Sequence, residues 1–169
     1  LAALDIAGRR GILRSFDANL RLPLWPSAEQ ARETILALAS QAEIIKLSAE
    51  ELAFLVPDTA PAAATQGMLN ERTQLLVVTL GSAGCVYYGL AGTGQVAAPR
   101  VQAIDATGAG DSFVAALLAQ IHQVPELLRD QAALELALRR ACGAGALATT
   151  VRGAIPALPT WAAIDALLA

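Results

Sequence analysis

Leu75-Leu76-Val77-Val78-Thr79 is the stretch whose reading decides the fold. It does not alternate apolar with polar, as a strand with one wet face would. An unbroken apolar run of this length, stopped by Gly81, fits a central strand of a parallel sheet covered on both faces. Upstream, Glu43 to Leu47 reads as a second short buried strand and Ile12 to Asp17 as a third. Between them, Ser27 with Gln30 and Ser48 with Glu51 have capping-box spacing. The first box opens a helix to about Ser40, and Pro57 ends the helix opened by the second. Ala62 to Asn70 is weakly helical, Leu1 to Ala7 reads as the last turns of a helix, and Gly8 to Gly11 as its stop. Downstream, Gly81 to Gly84 forms a tight turn, with Cys85 to Tyr88 and Gln95 to Ala98 as a hairpin pair. Ala18 to Pro26 is expected as a loop. Asp105 to Gly110 is a Gly-rich turn feeding a helix from Asp111 to about Gln123; further helices run from about Asp130 to Thr150 and from Pro159-Thr160 onward. Strands alternating with helices predict an α/β layered domain with a mainly parallel sheet.

The composition agrees. A chain of 169 residues suits one domain, and 55% hydrophobic content excludes disorder. Such a chain buries roughly 70% of its unfolded surface. Twelve Lys and Arg against 15 Asp and Glu give a net charge of −3 with no basic stripe, so nucleic acid is not an expected partner. Thr73 to Pro99 carries no charge, yet its glycines keep any continuous apolar run below the roughly 18 residues a bilayer demands, so no membrane association is expected. Two cysteines and one histidine, His122, cannot build a zinc cage; Cys85 and Cys142 read as buried, reduced thiols of a cytosolic protein. The chain opens on a helix tail with no basic segment before an apolar core, which reads as a fragment without its natural N-terminus.

Chemistry concentrates at Asp105-Ala106-Thr107-Gly108-Ala109-Gly110-Asp111. Glycines 108 and 110 let the backbone turn sharply and present successive N–H groups at a helix N-terminus, which together with the helix dipole hold an anion. This is neither a Walker loop, which needs Gly-Lys-Ser/Thr, nor a dinucleotide fingerprint, whose third glycine is missing. An acidic last member repels a phosphate. Asp111 therefore reads in one of two ways: as the base that takes a proton from a hydroxyl attacking that phosphate, or as a cap of its own helix.

That turn, continued by Ser112-Phe113, resembles the second signature of the ribokinase-like (PfkB) family of carbohydrate kinases. Four more stretches match in order. Ser15 to Pro26, with Asp17-Ala18-Asn19-Leu20-Arg21, is similar to the family's Asp-x-Asn-x-Arg segment and nearest to its fructokinase branch. Lys46 to Glu51 resembles its Asn/Ser-x-x-Glu motif, Val78 to Gly84 its nucleotide loop, and Arg152 to Pro159 its C-terminal loop. The resemblance spans essentially the whole chain. It implies a ribokinase-like three-layer α/β fold, here residues 1–169 as the C-terminal, nucleotide-binding part without the N-terminal portion and its β-sheet lid.

The resemblance also implies roles. Asp111 would be the general base, and the backbone of Gly108, Ala109 and Gly110 the anion hole for the transferring phosphoryl group. Thr79, Gly81 and Gly84 would line the ATP site, with Asn19 and Arg21 near phosphates and substrate. Ser48 and Glu51 would sit by the triphosphate and its Mg²⁺, Glu51 through water, although Ser-x-x-Glu is equally an ordinary capping box. Asp105 and Thr107, with main chain near Val151 and Gly153, match a monovalent-cation site of some members, which would hold K⁺. Cys142 falls where many members place Asn beside the adenine, Ala18 where Pro is usual, and Ala106 where Thr is common. The implied reaction is ATP-dependent phosphorylation of a sugar hydroxyl, fructose to fructose 6-phosphate. Alternatives are another sugar or a nucleoside as acceptor, or a non-catalytic, kinase-derived nucleotide-binding protein. A homodimer of the complete protein would form through the lid. His122, Trp25, Trp161, Tyr87 and Tyr88 are expected in packing or surface roles.

Overall fold

A computed structural model describes residues 2–169. Leu1, with which the first expected helix opens, lies outside the described residues. The chain divides into two compact units, one running to Thr79 with Tyr87–Gly89, the other comprising Leu80–Val86 and Leu90–Ala169.

The first unit begins with α1 (Ala2–Arg9) and the strand β1 (Ser15–Asp17). It continues through α2 (Ala28–Ala39), β2 (Ile44–Ser48), α3 (Ala49–Leu55), α4 (Pro61–Met68) and β3 (Leu75–Thr79). Strands β1 and β2 are parallel, with Ser15 opposite Ile44, and β2 and β3 are parallel, with Ser48 opposite Thr79. Leu75, Leu76 and Val77 are fully buried, as are Ile45 and Leu47, so both faces of these strands are covered, as the unbroken apolar run of β3 and the short buried strand expected at 43–47 predict. Both expected caps are present: the Ser27 hydroxyl accepts from Gln30 N, and Ser48 with Glu51 closes a reciprocal capping box. Helix α2 buries Ala31, Ile35 and Ala39, one face at a spacing of four. Helix α3 turns Leu52 and Leu55 inward and ends before Pro57.

Strand β1 is shorter than the expected Ile12 to Asp17. Its ladder starts only where β2 supplies partners, and Ile12 and Leu13 remain exposed. Arg14 begins the pairing instead. The Glu43 carboxylate accepts from Arg14 N at 2.8 Å, from its Nε at 3.0 Å, and from its Nη2. Within the expected loop 18–26, Leu22–Leu24 forms a short 3₁₀ turn with Pro23 in its first positions.

In the second unit, β5 (Gly92–Val96) is followed by α5 (Ala109–Gln123), α6 (Gln131–Ala148) and α7 (Trp161–Leu168). Strand β4 (Cys85–Gly89) precedes β5, and the strand order of the sheet is β1-β2-β3-β4-β5. The hairpin is tighter than expected, joined by the two residues Leu90 and Ala91, because so short a turn matches the natural twist of paired strands. Helix α6 is the hub of this unit, burying Leu134, Leu138, Ala141, Ala144 and Ala148. Helix α5 adds Phe113, Leu117 and Ile121, and Gln120 Nε2 donates to the Ala137 carbonyl at 3.1 Å, tying the two helices. Asp130 and Thr160 cap α6 and α7, accepting from Ala133 N and Ala163 N. Tyr87 is buried, Trp161 is 41% exposed, and His122 lies exposed on α5. Among the described residues no helix is long and apolar enough to cross a membrane.

Candidate active site

The sequence-predicted residues of the first unit gather at the carboxyl ends of its three parallel strands, the edge where open α/β sheets bind ligands. Ser48 closes β2, Thr79 closes β3 in register with it, and Asn19 and Arg21 follow β1 directly. Glu51 joins them. Its Oε2 accepts Ser48 N at 2.7 Å while the Ser48 hydroxyl accepts Glu51 N at 3.1 Å, and its Oε1 accepts Leu20 N at 2.8 Å. The capping reading of Ser48 and Glu51 therefore holds, and Glu51 also fastens the 18–21 loop to the start of α3. Asn19 adopts a left-handed φ of 39°, a conformation Asn tolerates better than most residues. The Arg21 guanidinium donates only to the neighbouring Leu20 carbonyl at 3.0 Å, on the surface. Thr79 Oγ1 donates to the Leu47 carbonyl at 3.3 Å, so its side chain also locks β3 to β2.

Beneath this edge lies a pair that sequence reasoning missed. Lys46, 8% exposed, donates from Nζ to Asp17 Oδ1 at 3.2 Å, and the two residues are cross-strand partners. Burial pushes the Asp17 carboxyl above the usual carboxylate range, and the Lys46 ammonium opposes that shift. A signal existed: a lysine inside the otherwise apolar Glu43 to Leu47 run needs a buried partner.

The second unit carries the Gly-rich turn. Gly108 is the N-cap of α5 with φ +81°, and a Cβ there would meet Ala154 Cβ at 3.0 Å and its Cα at 3.1 Å. Only glycine fits both the torsion and the space. The helix begins at Ala109, two residues before the expected start, because the backbone after Gly108 is already helical. Ala109 N donates to the Ala106 carbonyl at 3.2 Å and Ser112 N to the Gly108 carbonyl at 2.9 Å. The amides of Gly110 and Asp111 fall in the first turn, where the helix has no acceptor for them, and stay available to an anion. Asp111 does not cap this helix. Its side chain is exposed and makes no hydrogen bond or ion pair among the described residues.

Asp105 holds the turn in place. Its Oδ1 accepts Thr107 N at 2.9 Å and Thr107 Oγ1 at 2.6 Å, and its Oδ2 accepts Gly153 N at 2.9 Å. The Thr107 hydroxyl first, then the Gly153 and Thr107 amides, draw its pKa down to about 2. Asp105, Thr107 and Gly153 thus come together, and Val151 lies in the segment between Thr149 and Gly153, exposed. Thr149 supplies the carbonyl that accepts Ile104 N and Asp105 N. Among the described residues no group of three or more His, Cys, Asp or Glu side chains is arranged to hold a metal ion.

Gly81 and Gly84 bracket a short turn closed by Leu80 N donating to the Gly84 carbonyl at 2.7 Å. Gly84 has φ +99°, and a Cβ there would overlap the Val96 carbonyl and lie 2.7 Å from Ala98 N. Cys142, buried on α6, faces Cys85, with their sulfurs 3.8 Å apart.

A glycine turn at a helix N-terminus with an exposed aspartate and, in the other unit, a cluster of side chains at the carboxyl ends of parallel strands mark an α/β protein of the ligand-binding kind. Residues 2–161 match the profile of the pfkB family carbohydrate kinases, and the chain belongs to that family. Its similarity runs to fructokinases in particular. Fructokinase-1 of Oryza sativa subsp. japonica is 47% identical over 161 residues, which cover 95% of this chain and 50% of that relative. The crystal structure of a fructokinase from Vibrio cholerae O395 in fructose, ADP and calcium ion bound form superposes with a TM-score of 0.92 at 36% identity, covering 99% of this chain and 54% of that one. An aminoimidazole riboside kinase from Salmonella enterica, complexed with aminoimidazole riboside and an ATP analog, gives 0.87 at 30% identity over 99% and 56%. The chain spans about half the length of these relatives. The α/β fold with its mainly parallel five-stranded sheet is that of the fructokinase structures.

Proposed function

We propose that this chain is the nucleotide-binding and catalytic portion of an ATP-dependent fructokinase that makes fructose 6-phosphate. The carrying observation is Asp111: a carboxylate at a helix N-terminus, beside a glycine turn, with no structural partner among the described residues. In this reading Asp111 takes the proton of the sugar hydroxyl as its oxygen attacks the γ-phosphorus and ADP leaves. The Gly110 and Asp111 amides stabilise the charge that develops on the phosphoryl oxygens. Within the second unit the Gly81–Gly84 turn is assigned to the nucleotide, and within the first unit Thr79 to the nucleotide and Arg21, whose guanidinium suits phosphate oxygens, to the phosphates. The buried thiol of Cys142 offers the adenine no strong hydrogen-bonding group.

Mg²⁺ bound with the nucleotide would supply charge neutralisation on the triphosphate, with Glu51 the candidate to orient it. Both Glu51 oxygens already accept a backbone N–H, which suits Glu51 to orient a metal-bound water rather than ligate directly. The Asp105 carboxylate is likewise engaged, so K⁺ near residues 105–107 and 151–153 would be held by main-chain carbonyls.

The test is ADP release from MgATP by the complete protein with fructose, ribose, adenosine and no acceptor in parallel. Release confined to fructose supports the reading. Release with adenosine or ribose would keep the mechanism and favour the second reading, a nucleoside or other sugar kinase, which the likeness to the aminoimidazole riboside kinase supports. No release with any acceptor would leave a nucleotide-binding protein without catalysis. Residues 1–169 in isolation are expected to be inactive, because sugar orientation, worth about 7–11 kcal/mol, would be missing.

A further inference from the structure

The chain has two cysteines, and the fold brings both to one place in the second unit. Cys85 opens β4 immediately after the Gly84 turn, and Cys142 sits at the middle of α6. They stand 57 positions apart in sequence, yet their sulfurs lie 3.8 Å apart, in S–H···S contact. A disulfide needs about 2.05 Å, so the sulfurs must close by under 2 Å, within reach of side-chain rotation and a small shift of α6. Exposure is unequal: Cys85 is completely buried, whereas Cys142 is 5% exposed.

We infer that Cys85 and Cys142 form an oxidation site, at which a hydroperoxide converts the two thiols into one internal disulfide. Cys142, with its small opening, meets the oxidant. Its thiolate sulfur attacks a peroxide oxygen, the O–O bond breaks, and an alcohol or water leaves, giving a sulfenic acid. The Cys85 sulfur then attacks the Cys142 sulfur, the S–O bond breaks, and water departs with the Cys85 proton. Two thiols lose two electrons, and the peroxide is reduced by two. The electrostatics suit that order, because in the singly ionised pair the Cys85 thiol donates to the Cys142 thiolate. That bond lowers the Cys142 pKa against the opposing effect of burial; for Cys85 the same bond and burial both raise it. The disulfide would tether the strand following the Gly81–Gly84 turn to α6. Its formation does not depend on the kinase reading.

The experiment treats the protein with hydrogen peroxide and follows intact mass and peptide maps. The expected product is lighter by about 2 Da, reverts with dithiothreitol, and links tryptic peptide Thr73–Arg100 to Ala141–Arg152. Cys85→Ser should stop at a sulfenic acid, heavier by about 16 Da and trapped by dimedone, while Cys142→Ser should react at least about tenfold more slowly. Gains of about 32 Da or more without the linked peptides would overturn the inference. So would links between chains only, an unchanged mass at peroxide levels that oxidise a free thiol peptide, or Cys142→Ser reacting as fast as the parent. The peptide map of the unsubstituted protein decides the matter even where a serine variant fails to fold.

Discussion

Replacing Gly108 with alanine perturbs the proposed site through the backbone alone. At φ +81° a Cβ costs about 1–2 kcal/mol for the left-handed conformation. The new atom would also stand 3.0 Å from Ala154 Cβ and 3.1 Å from its Cα, which a shift of a few tenths of an ångström must relieve. The stability loss should total about 1.5–3 kcal/mol, seen as a lower urea midpoint with an unchanged slope. Turnover should suffer more, because the displaced turn carries the Gly110 and Asp111 amides. Loss of one such donor typically lowers kcat by about 10²–10³. The assay pairs urea unfolding with steady-state ADP release by the complete protein at 25 °C, read at the fraction of folded protein that the unfolding curve gives. Ala154→Gly combined with Gly108→Ala should recover part of the stability, since the nearer contact is gone, and little of the turnover. A Gly108→Ala protein within about 0.5 kcal/mol and threefold of the parent would refute the claim that this turn needs glycine.

Other expectations follow from single residues. Asp111→Asn should lower kcat by about 10²–10⁴ while lowering stability by no more than about 1 kcal/mol, because among the described residues the carboxylate makes no hydrogen bond or ion pair and only its favourable place at the helix N-terminus is lost; a loss under about tenfold in steady-state turnover would remove it as the base. Gly84→Ala should destabilise by about 3 kcal/mol or more in urea unfolding, since its Cβ would overlap the Val96 carbonyl in addition to the strain of φ +99°. Asp105 titrates near 2 in the fold against an ordinary 3.8, so the stability it lends is complete above the ordinary value and is lost as pH falls from there toward 2. Melting curves between about pH 5 and pH 2 should therefore fall more steeply for the parent than for Asp105→Asn, and parallel curves would contradict the assignment.

Much was legible in the sequence because it is encoded locally. The unbroken apolar run at 75–78, and the run at 44–47 broken only by Lys46, announced covered parallel strands, and Ser27, Ser48, Asp130 and Thr160 stood at or beside the helix starts that they cap. Capping acts within three or four residues, so spacing alone reveals it. Strand ends were less legible. The Ile12 to Asp17 reading ran long because a ladder extends only as far as its neighbour does, and that neighbour begins some thirty residues later at Ile44.

Tertiary structure decided how the local pieces are used. Glu51 reaches Leu20 across 31 positions, Asp105 reaches Gly153 across 48, and Cys85 meets Cys142 across 57. No short-range rule specifies such pairs; topology brings the ends of strands and turns together, and the groups then satisfy one another. Lys46 is the intermediate case, since its place in an apolar run demanded a partner without naming Asp17. Asp111 is the opposite case. By sequence it could equally have been a cap or a base, and only the folded chain shows Gly108 taking the N-cap position while the aspartate beyond it remains unpartnered among the described residues. Sequence by itself thus determined the α/β class, the capped helix starts and the glycine turn before α5, all products of interactions a few residues long. The folded chain determined which of those side chains are consumed in holding it together and which are left over for chemistry, because that depends on contacts made across the whole fold.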